Sequence, residues 1–522
     1  MANSMIHSTV GQTFFAPSFS SLTRMPFPRT SGILLHPTSL PSQFGIGDLG
    51  NEAYQFVDFL VESNQQIWQI LPLGPTGYGD SPYQCFSAMA GNPLLISLEM
   101  LQSQGLLSVD DLSSPPNFPS SIDFGWVIHI KMPLLQKACD NFRAQPDPQK
   151  YQAFEAFCQS TPWLEDFALF MALKEIHRGA SWHTWESEIA QRKPEAIAPK
   201  QEELAAEIFY HKFLQFEFAQ QWSNLKQYAN EKGIQILGDL PIYVAHDSAE
   251  VWAHPEYFHL DPETGEPALM AGVPPDYFST TGQLWGNPIY NWDRLQQENF
   301  SWWMQRFQVM LNCVDLIRID HFRGFQAYWA VPQGETTAIN GQWVEAPGTE
   351  LFLQLKKELG SLPIIAEDLG FITPEVEALR DQFDFPGMKI LQFAFDGGAG
   401  NPYLPFCYTP NTVVYTGTHD NNTTVGWFEE RSHEEQHSVT QYFSAASAAG
   451  VHWDLIRLAL SSVSNQAITP LQDVLGLGTA SRMNSPGQAE RNWGWRYEAG
   501  ALTTEMSDRL RTMTQIYGRN PK

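Results

Sequence analysis

The segment "LIRIDHF" (316–322) has the apolar, β-branched character of a buried strand, yet it carries Arg318, Asp320 and His321. Alternate side chains of a strand face the same side, so Arg318 and Asp320 share a face. Unpaired buried charge is costly. The charged face therefore belongs either to a structural ion pair or to a cleft in which a carboxylate is held beside a cation. These seven residues alone support both readings, and the rest of the chain has to separate them.

Seven further segments share this character, and most end in a polar residue. They are "GILLH" (32–36), "IWQILPL" (67–73), "IQILGDL" (234–240), "PIIAED" (363–368), "KILQFAFD" (389–396), "TVVYTGTHD" (412–420) and "ITPLQDVLGL" (468–477). Helical patterns separate most of them, such as "NEAYQFVDFLVES" after the first. Continuous apolar runs alternating with helices indicate a parallel sheet covered on both faces. With "LIRIDH" they make eight units, the number that closes a (β/α)8 barrel. An open doubly wound sheet fits the same alternation.

The expected fold class is therefore α/β, a (β/α)8 TIM barrel with a large helical insertion and long loop insertions at its C-terminal face. Residues 31–522 form the catalytic barrel, preceded by a flexible extension over 1–30. The helical insertion falls at 125–230, where "TPWLEDFALFMALKEIH" opens on Thr161-Pro162, a helix-start signal. Residues 245–300 contain "HLDPETGEPALMAGVPPDYFSTTGQLWGNPIYNW", rich in Pro, Gly and aromatics, and read as long loops. Long loops on a rigid scaffold are where binding groups tend to sit.

Bulk properties bound the function. The 522 residues are 43% hydrophobic and 17% charged, ample for a globular core. A net charge of −26, from 31 basic and 57 acidic residues, would repel nucleic acid and anionic membranes. No apolar run approaches the roughly 20 residues that span a bilayer. Five scattered cysteines, Cys85, Cys139, Cys158, Cys313 and Cys407, form neither a disulfide framework nor a zinc motif, which fits a reducing compartment and a cytoplasmic protein. The first thirty residues hold no Asp or Glu, nine Ser or Thr and two Arg. That composition matches a transit peptide, which would direct the chain to a plastid, and equally a disordered start. A monomer or weak homo-oligomer is the expected assembly. Aromatics make up 13%, with 17 Trp, and such rings fill cores as well as offering faces to sugars.

Acidic residues fall at the strand ends: Asp239, Asp320, Glu367 with Asp368, and Asp420. Any one of them alone reads as a helix cap. In a barrel, however, the C-terminal strand ends build one cleft, and Arg318, His321 and His419 would join them there. Glycosidic bond cleavage needs two carboxyl groups of different protonation state, one attacking the anomeric carbon and the other donating a proton to the leaving oxygen. Like charges close together push their pKa values apart. Competing motifs are weaker. "GIGDLG" (45–50) matches a dinucleotide pattern but is separated from its strand by "PTSLPSQF". His246, His254 and His259 lack zinc-helix spacing, and there is neither a P-loop nor a GxSxG elbow.

The motifs "GDLPIYV" (238–244), "RIDHFRG" (318–324), "AEDLG" (366–370) and "GTHDNNT" (417–423), in that order, resemble the four blocks of the α-amylase superfamily. Together with "LPLGPTGYGDSPYQ" (71–84), "GVPPDYFSTTGQLWGNPIYNW" (272–292) and "SRMNSPG" (481–487), the chain from about residue 30 onward resembles the amylomaltase, or 4-α-glucanotransferase, family. The resemblance implies a retaining transfer of an α-1,4-glucan segment through a covalent glucosyl-enzyme. Maltooligosaccharides and α-1,4-glucans would be the substrates, with no metal, flavin or nicotinamide. An α-amylase-type hydrolase is the alternative, and a non-catalytic glucan-binding protein a third reading. By resemblance Asp320 is the nucleophile, Glu367 the acid and base, and Asp420, with His419, the stabiliser through the donor sugar's hydroxyls. Arg318 supports the nucleophile, Asp239 orients near the donor site, and Tyr83 stacks on the donor sugar. Trp285 and Tyr277 line the cleft, Asn484 sits on a cleft-edge loop, and Tyr78 lies at a second glucan surface. Asn422 departs from relatives that carry an acid there.

Overall fold

The structure, a computed structural model, describes residues 27–144, 147–275, 279–443, 450–488 and 491–520. Eight parallel strands form one sheet: β1 (Thr30–Leu34), β2 (Ile67–Gln69), β3 (Gln235–Pro241), β4 (Leu316–Asp320), β5 (Ile364–Ala366), β6 (Gly387–Ile390), β7 (Thr412–Tyr415) and β8 (Gln466–Pro470). Their spatial order is β6-β7-β8-β1-β2-β3-β4-β5. The two edges meet where the Ala366 N–H donates to the Pro386 carbonyl at 2.9 Å. Nearby, the Met388 N–H donates to the Asp368 carboxylate at 2.7 Å. The sheet is thus a nearly closed TIM barrel.

Alternation along the strands sorts their side chains into two buried populations. Leu34, Ile67, Leu237, Leu316, Ile365, Met388, Val413 and Ile468 pack together in one cluster. Ile33, Trp68, Ile236, Ile317, Ile319, Ile364 and Val414 pack in another, with Phe56, Phe307 and Leu355 from the covering helices Asn51–Glu62, Ser301–Cys313 and Gly348–Leu359. The first population fills the barrel and the second glues strands to helices. Burying Ile317 and Ile319 stabilises by about 1.5–3 kcal/mol each. Arg318 and Asp320 have the parity of Leu316 and so point inward, one and two layers above the apolar floor. Outward on β3, Gly238 lets the helix Ser301–Cys313 approach: a Cβ there would stand 2.5 Å from Met310 Cε.

Several strands stop earlier than their sequence segments suggest. The chain leaves β8 at Pro470 and forms the helical turn Leu471–Val474, and β6 gives way at Ile390 to the 3-10 turn Leu391–Phe393. After β7, the Thr418 N–H is taken by the Asn421 side chain at 2.8 Å instead of a neighbouring strand. The apolar run continues in each case because the loop base is buried, and hydropathy alone does not distinguish a strand from a buried loop.

Between β2 and β3 the chain is helical, with Phe124–Ala144, Pro148–Ser160, Leu164–Ile176 and Ala205–Glu231 as its longest elements. The last is 27 residues long, about 40 Å. Phe142, Phe154, Phe209, Phe213 and Phe216 interlock three of these helices. Within 245–300, which the sequence suggests is loop, two strands form, Leu269–Val273 and Gln283–Pro288. They pair antiparallel and are extended by Ala327–Pro332 and Gln342–Glu345 into a four-stranded sheet. Glycine and proline masked these strands: Gly272 packs so tightly that a Cβ would fall 2.4 Å from the Gln283 carbonyl. Among the described residues no helix is long and apolar enough to cross a membrane.

Candidate active site

Arg318 is the hub of the inward-facing charges. Its guanidinium pairs with Asp239 on β3 at 2.6 Å and with Asp320 on its own strand at 2.9 Å. Asp239 is wholly buried, whereas the Asp320 side chain is 30% exposed and opens toward the cleft. Both opening readings are therefore realised: Asp239–Arg318 is a buried ion pair, and the same cation holds a carboxylate with free access. The Tyr83 hydroxyl donates to Asp239 at 2.9 Å, fixing the loop after β2 to the cluster.

Glu367 follows β5, and backbone donors hold its carboxyl group. The His321 N–H donates to one oxygen at 2.7 Å and the Leu369 N–H to the other at 2.9 Å. His321 reaches that position by adopting a left-handed conformation, φ 52°, directly after Asp320, and the contact sets Glu367 beside Asp320. One edge of Glu367 remains open, but the surrounding protein strips most of its water. Burial, reinforced by the Asp320 charge and opposed by Arg318, raises its pKa to about 8. Burial also pushes Asp239 up, against the pull of Arg318. His321 is driven down to about 4 by burial, and burial lowers His419 as well, so both rings are neutral at pH 7.

Asp420 stands across the cleft on the loop after β7. The Asn484 amide donates to it at 2.6 Å, and His419 Nε2 lies 3.4 Å from the same oxygen. The Tyr83 ring stacks on His419 with centroids 5.3 Å apart, and Trp493 closes on both at 5.8 and 5.9 Å. Trp285, on the strand Gln283–Pro288, meets His321 edge to face at 4.9 Å. Asp239, Arg318, Asp320, Glu367, His419, Asp420, Tyr83, Trp285 and Asn484 are thus linked in one place. Tyr78 is not part of this network, being 81% exposed on the turn Tyr78–Asp80. Tyr277 lies outside the described residues.

With this geometry in view, comparison with known proteins gives a consistent result. Residues 35–503 match the family described as 4-alpha-glucanotransferase. The chain belongs to the 4-alpha-glucanotransferase family. It is 58% identical to the 4-alpha-glucanotransferase of Synechocystis sp. over 94% of this chain and 98% of that one. It is 50% identical to that of Thermus thermophilus, over 94% and 99%. The structure resembles the amylomaltase from Streptococcus agalactiae in complex with acarbose, with a TM-score of 0.92 and 44% identity, covering 94% of this chain and 100% of that one.

In this 4-alpha-glucanotransferase fold, further residues hold the site that the sequence does not single out. Asp473 is buried and accepts from the Thr416 hydroxyl at 2.6 Å and from the Thr424 N–H and hydroxyl at 2.7 Å each. These bonds pin both ends of the loop bearing His419 and Asp420. Arg482 donates to the Asp420 carbonyl at 2.6 Å and the Asn484 carbonyl at 2.7 Å, tying two cleft loops together. Asn422 donates to Glu430 at 2.7 Å and Thr479 at 2.9 Å, so its amide ties this loop to two neighbouring segments. Arg482 lies two residues from Asn484 and could have been flagged by position. Asp473 offered no such signal within an apparent strand. Among the described residues no group of His, Cys, Asp and Glu is arranged to hold a metal ion.

Proposed function

We propose that this protein catalyses retaining transfer of α-1,4-glucan segments through Asp320 and Glu367. The observation that carries the mechanism is their unlike setting. Asp320 is clamped by Arg318 at 2.9 Å, and Glu367 beside it keeps its proton to about pH 8. Asp320 attacks the anomeric carbon of the donor while Glu367 gives its proton to the departing 4-oxygen, leaving a covalent glucosyl ester and a free reducing-side fragment. Glu367, now a carboxylate, takes the proton from an acceptor 4-hydroxyl, whose oxygen displaces Asp320. Two inversions restore the α-linkage.

Asp420, oriented by Asn484 and His419, is placed to bind donor hydroxyls that strengthen as positive charge develops at the ring. Tyr83 offers a stacking face, and Asp239 fixes the hub beneath. Trp285 and the loop through Tyr277 order the acceptor and exclude water. Tyr78 fits a separate glucan-binding surface, and residues 125–230 an inserted helical subdomain. Maltooligosaccharides and longer α-1,4-glucans fit the cleft, a reading supported by the acarbose complex of the Streptococcus agalactiae relative. We place the protein in the cytoplasm, or in a plastid if the residues ahead of Phe27 act as a transit peptide, as a monomer or weak homo-oligomer. The expected extension over 1–30 is too long, because Phe27 is buried in the core and Thr30 opens β1.

The test is incubation of the protein with maltotriose, following glucose, product lengths and total reducing ends together. Transfer yields glucose and longer oligomers at constant reducing ends. Reducing ends that climb while only shorter sugars accumulate would make water the acceptor and the protein a hydrolase.

A further inference from the structure

Beside Glu367 the rim carries a second aromatic feature that the catalytic cluster does not use. Phe371 lies in the loop between β5 and the helix Pro374–Gln382 and is 71% exposed. It follows Glu367 by four residues, which keeps their Cα atoms within about 14 Å. Its position is built rather than loose. Arg323, in the turn after β4, donates to the Phe371 carbonyl. The same guanidinium lies 3.7 Å from the centroid of Trp343 and 5.7 Å from that of Phe371. Trp343 is 37% exposed and is braced edge-on by Trp329 at 5.2 Å. Arg323 itself is buried, so it acts as the filling between two rings whose outer surfaces remain open.

The location of this pair relative to the chemistry decides what it would bind. Tyr83, Asp239, His419, Asp420 and Asn484 come from the β2, β3, β7 and β8 side of the barrel, where the donor sugar is read. Glu367 protonates the leaving oxygen, so the side of the acid away from that group is where the leaving fragment departs and the acceptor enters. Phe371 and Trp343 stand on the β4–β5 side, joined through Arg323 in the turn after β4. Exposed rings on the same side of the barrel as the acid could offer apolar faces to further sugar rings.

We propose that Phe371 and Trp343, clamped by Arg323, form an acceptor-side stacking platform for α-1,4-glucan chains. It takes glucose units beyond the one adjoining Glu367 and so selects long acceptors over glucose. This rests on the transferase reading above. A chain long enough to reach the platform gains the contact in the acceptor step, whereas a single glucose cannot.

The experiment measures acceptor kcat/KM with a labelled acceptor series from glucose to maltohexaose, using the full chain and Phe371→Ala. The expected result is a loss that grows with acceptor length, about fivefold greater for maltohexaose than for glucose. Phe371→Trp should restore the length preference. Equal losses at every length would mean a structural effect, and no loss at any length would mean the ring meets no ligand. Either result overturns the platform. A second measurement separates this proposal from the transferase reading. In Asp320→Asn, which cannot turn over, maltohexaose binding read by tryptophan fluorescence should weaken when Phe371→Ala or Trp343→Ala is added. Weakened binding in a protein whose wild type only hydrolyses would retain the platform and reject transfer. Unchanged binding would reject the platform whatever the wild type does.

Discussion

Arg318 serves two carboxylates whose needs differ, because Asp239 has no water to fall back on and Asp320 faces the cleft. As the proposed acid, Glu367 presents the opposite problem, since it must keep its proton in neutral solution. Burial and the neighbouring Asp320 charge raise it from 4.5 to about 8, so kcat/KM should hold through neutrality and fall as pH rises past about 8. The same shift bears on stability. A folded pKa above the unfolded value stabilises fully below about pH 4.5, and that contribution is lost as pH climbs toward 8. Glu367→Gln removes the titration. Relative to wild type, the variant should therefore gain stability between pH 5 and 8 in urea titrations while losing 10²-fold or more in activity. A stability difference flat across that range would mean Glu367 ionises normally. Arg318, Asp320 and Glu367 were readable at this scale because charge on the inward parity of an apolar strand has few uses.

Elements decide how well those residues are aimed. Asp473 anchors the loop carrying His419 and Asp420 at both ends, so Asp473→Ala would leave buried threonine hydroxyls unpaired at a cost of about 1–3 kcal/mol. We expect kcat to fall with that loss, checked by steady-state kinetics beside urea unfolding, and Asp473→Asn to recover part of both. Trp285 belongs to the small sheet overhanging the cleft, and Trp285→Ala should raise the share of turnovers ending in hydrolysis. The readout is reducing ends formed per glucose released, and an unchanged ratio would deny the sheet a role in excluding water. Legibility differed sharply here. The eight strands and the acids at the ends of β4 and β5 followed from apolar runs, as at 316–320, whereas Asp420 proved to lie on a loop beyond β7. The strands Leu269–Val273 and Gln283–Pro288 did not, since their Gly and Pro serve close packing rather than turns. Asp473 was hidden for a different reason: its role depends on loop 416–424, which is remote in sequence and adjacent only once β7 pairs with β8.

For the whole molecule, a net charge of −26 creates a strong field that a neutral glucan does not feel. Acceptor and donor kcat/KM should therefore change less than about twofold between low and high salt. A steep salt dependence would mean a charged ligand. The site draws on strands from every quarter of the barrel, and that explains why no single stretch of sequence contains it. One feature of the closure matters before the enzyme exists. β1 pairs with β8, and Arg519 donates to the Thr30 carbonyl at 2.7 Å, so the first of the eight barrel strands waits for the last of them. On the ribosome, one edge of β1 has no barrel neighbour until Gln466–Pro470 has been synthesised. An unpaired apolar edge invites association between nascent chains, so chaperone cover during synthesis should raise the yield of active protein, an effect that coexpression with and without a chaperone would read.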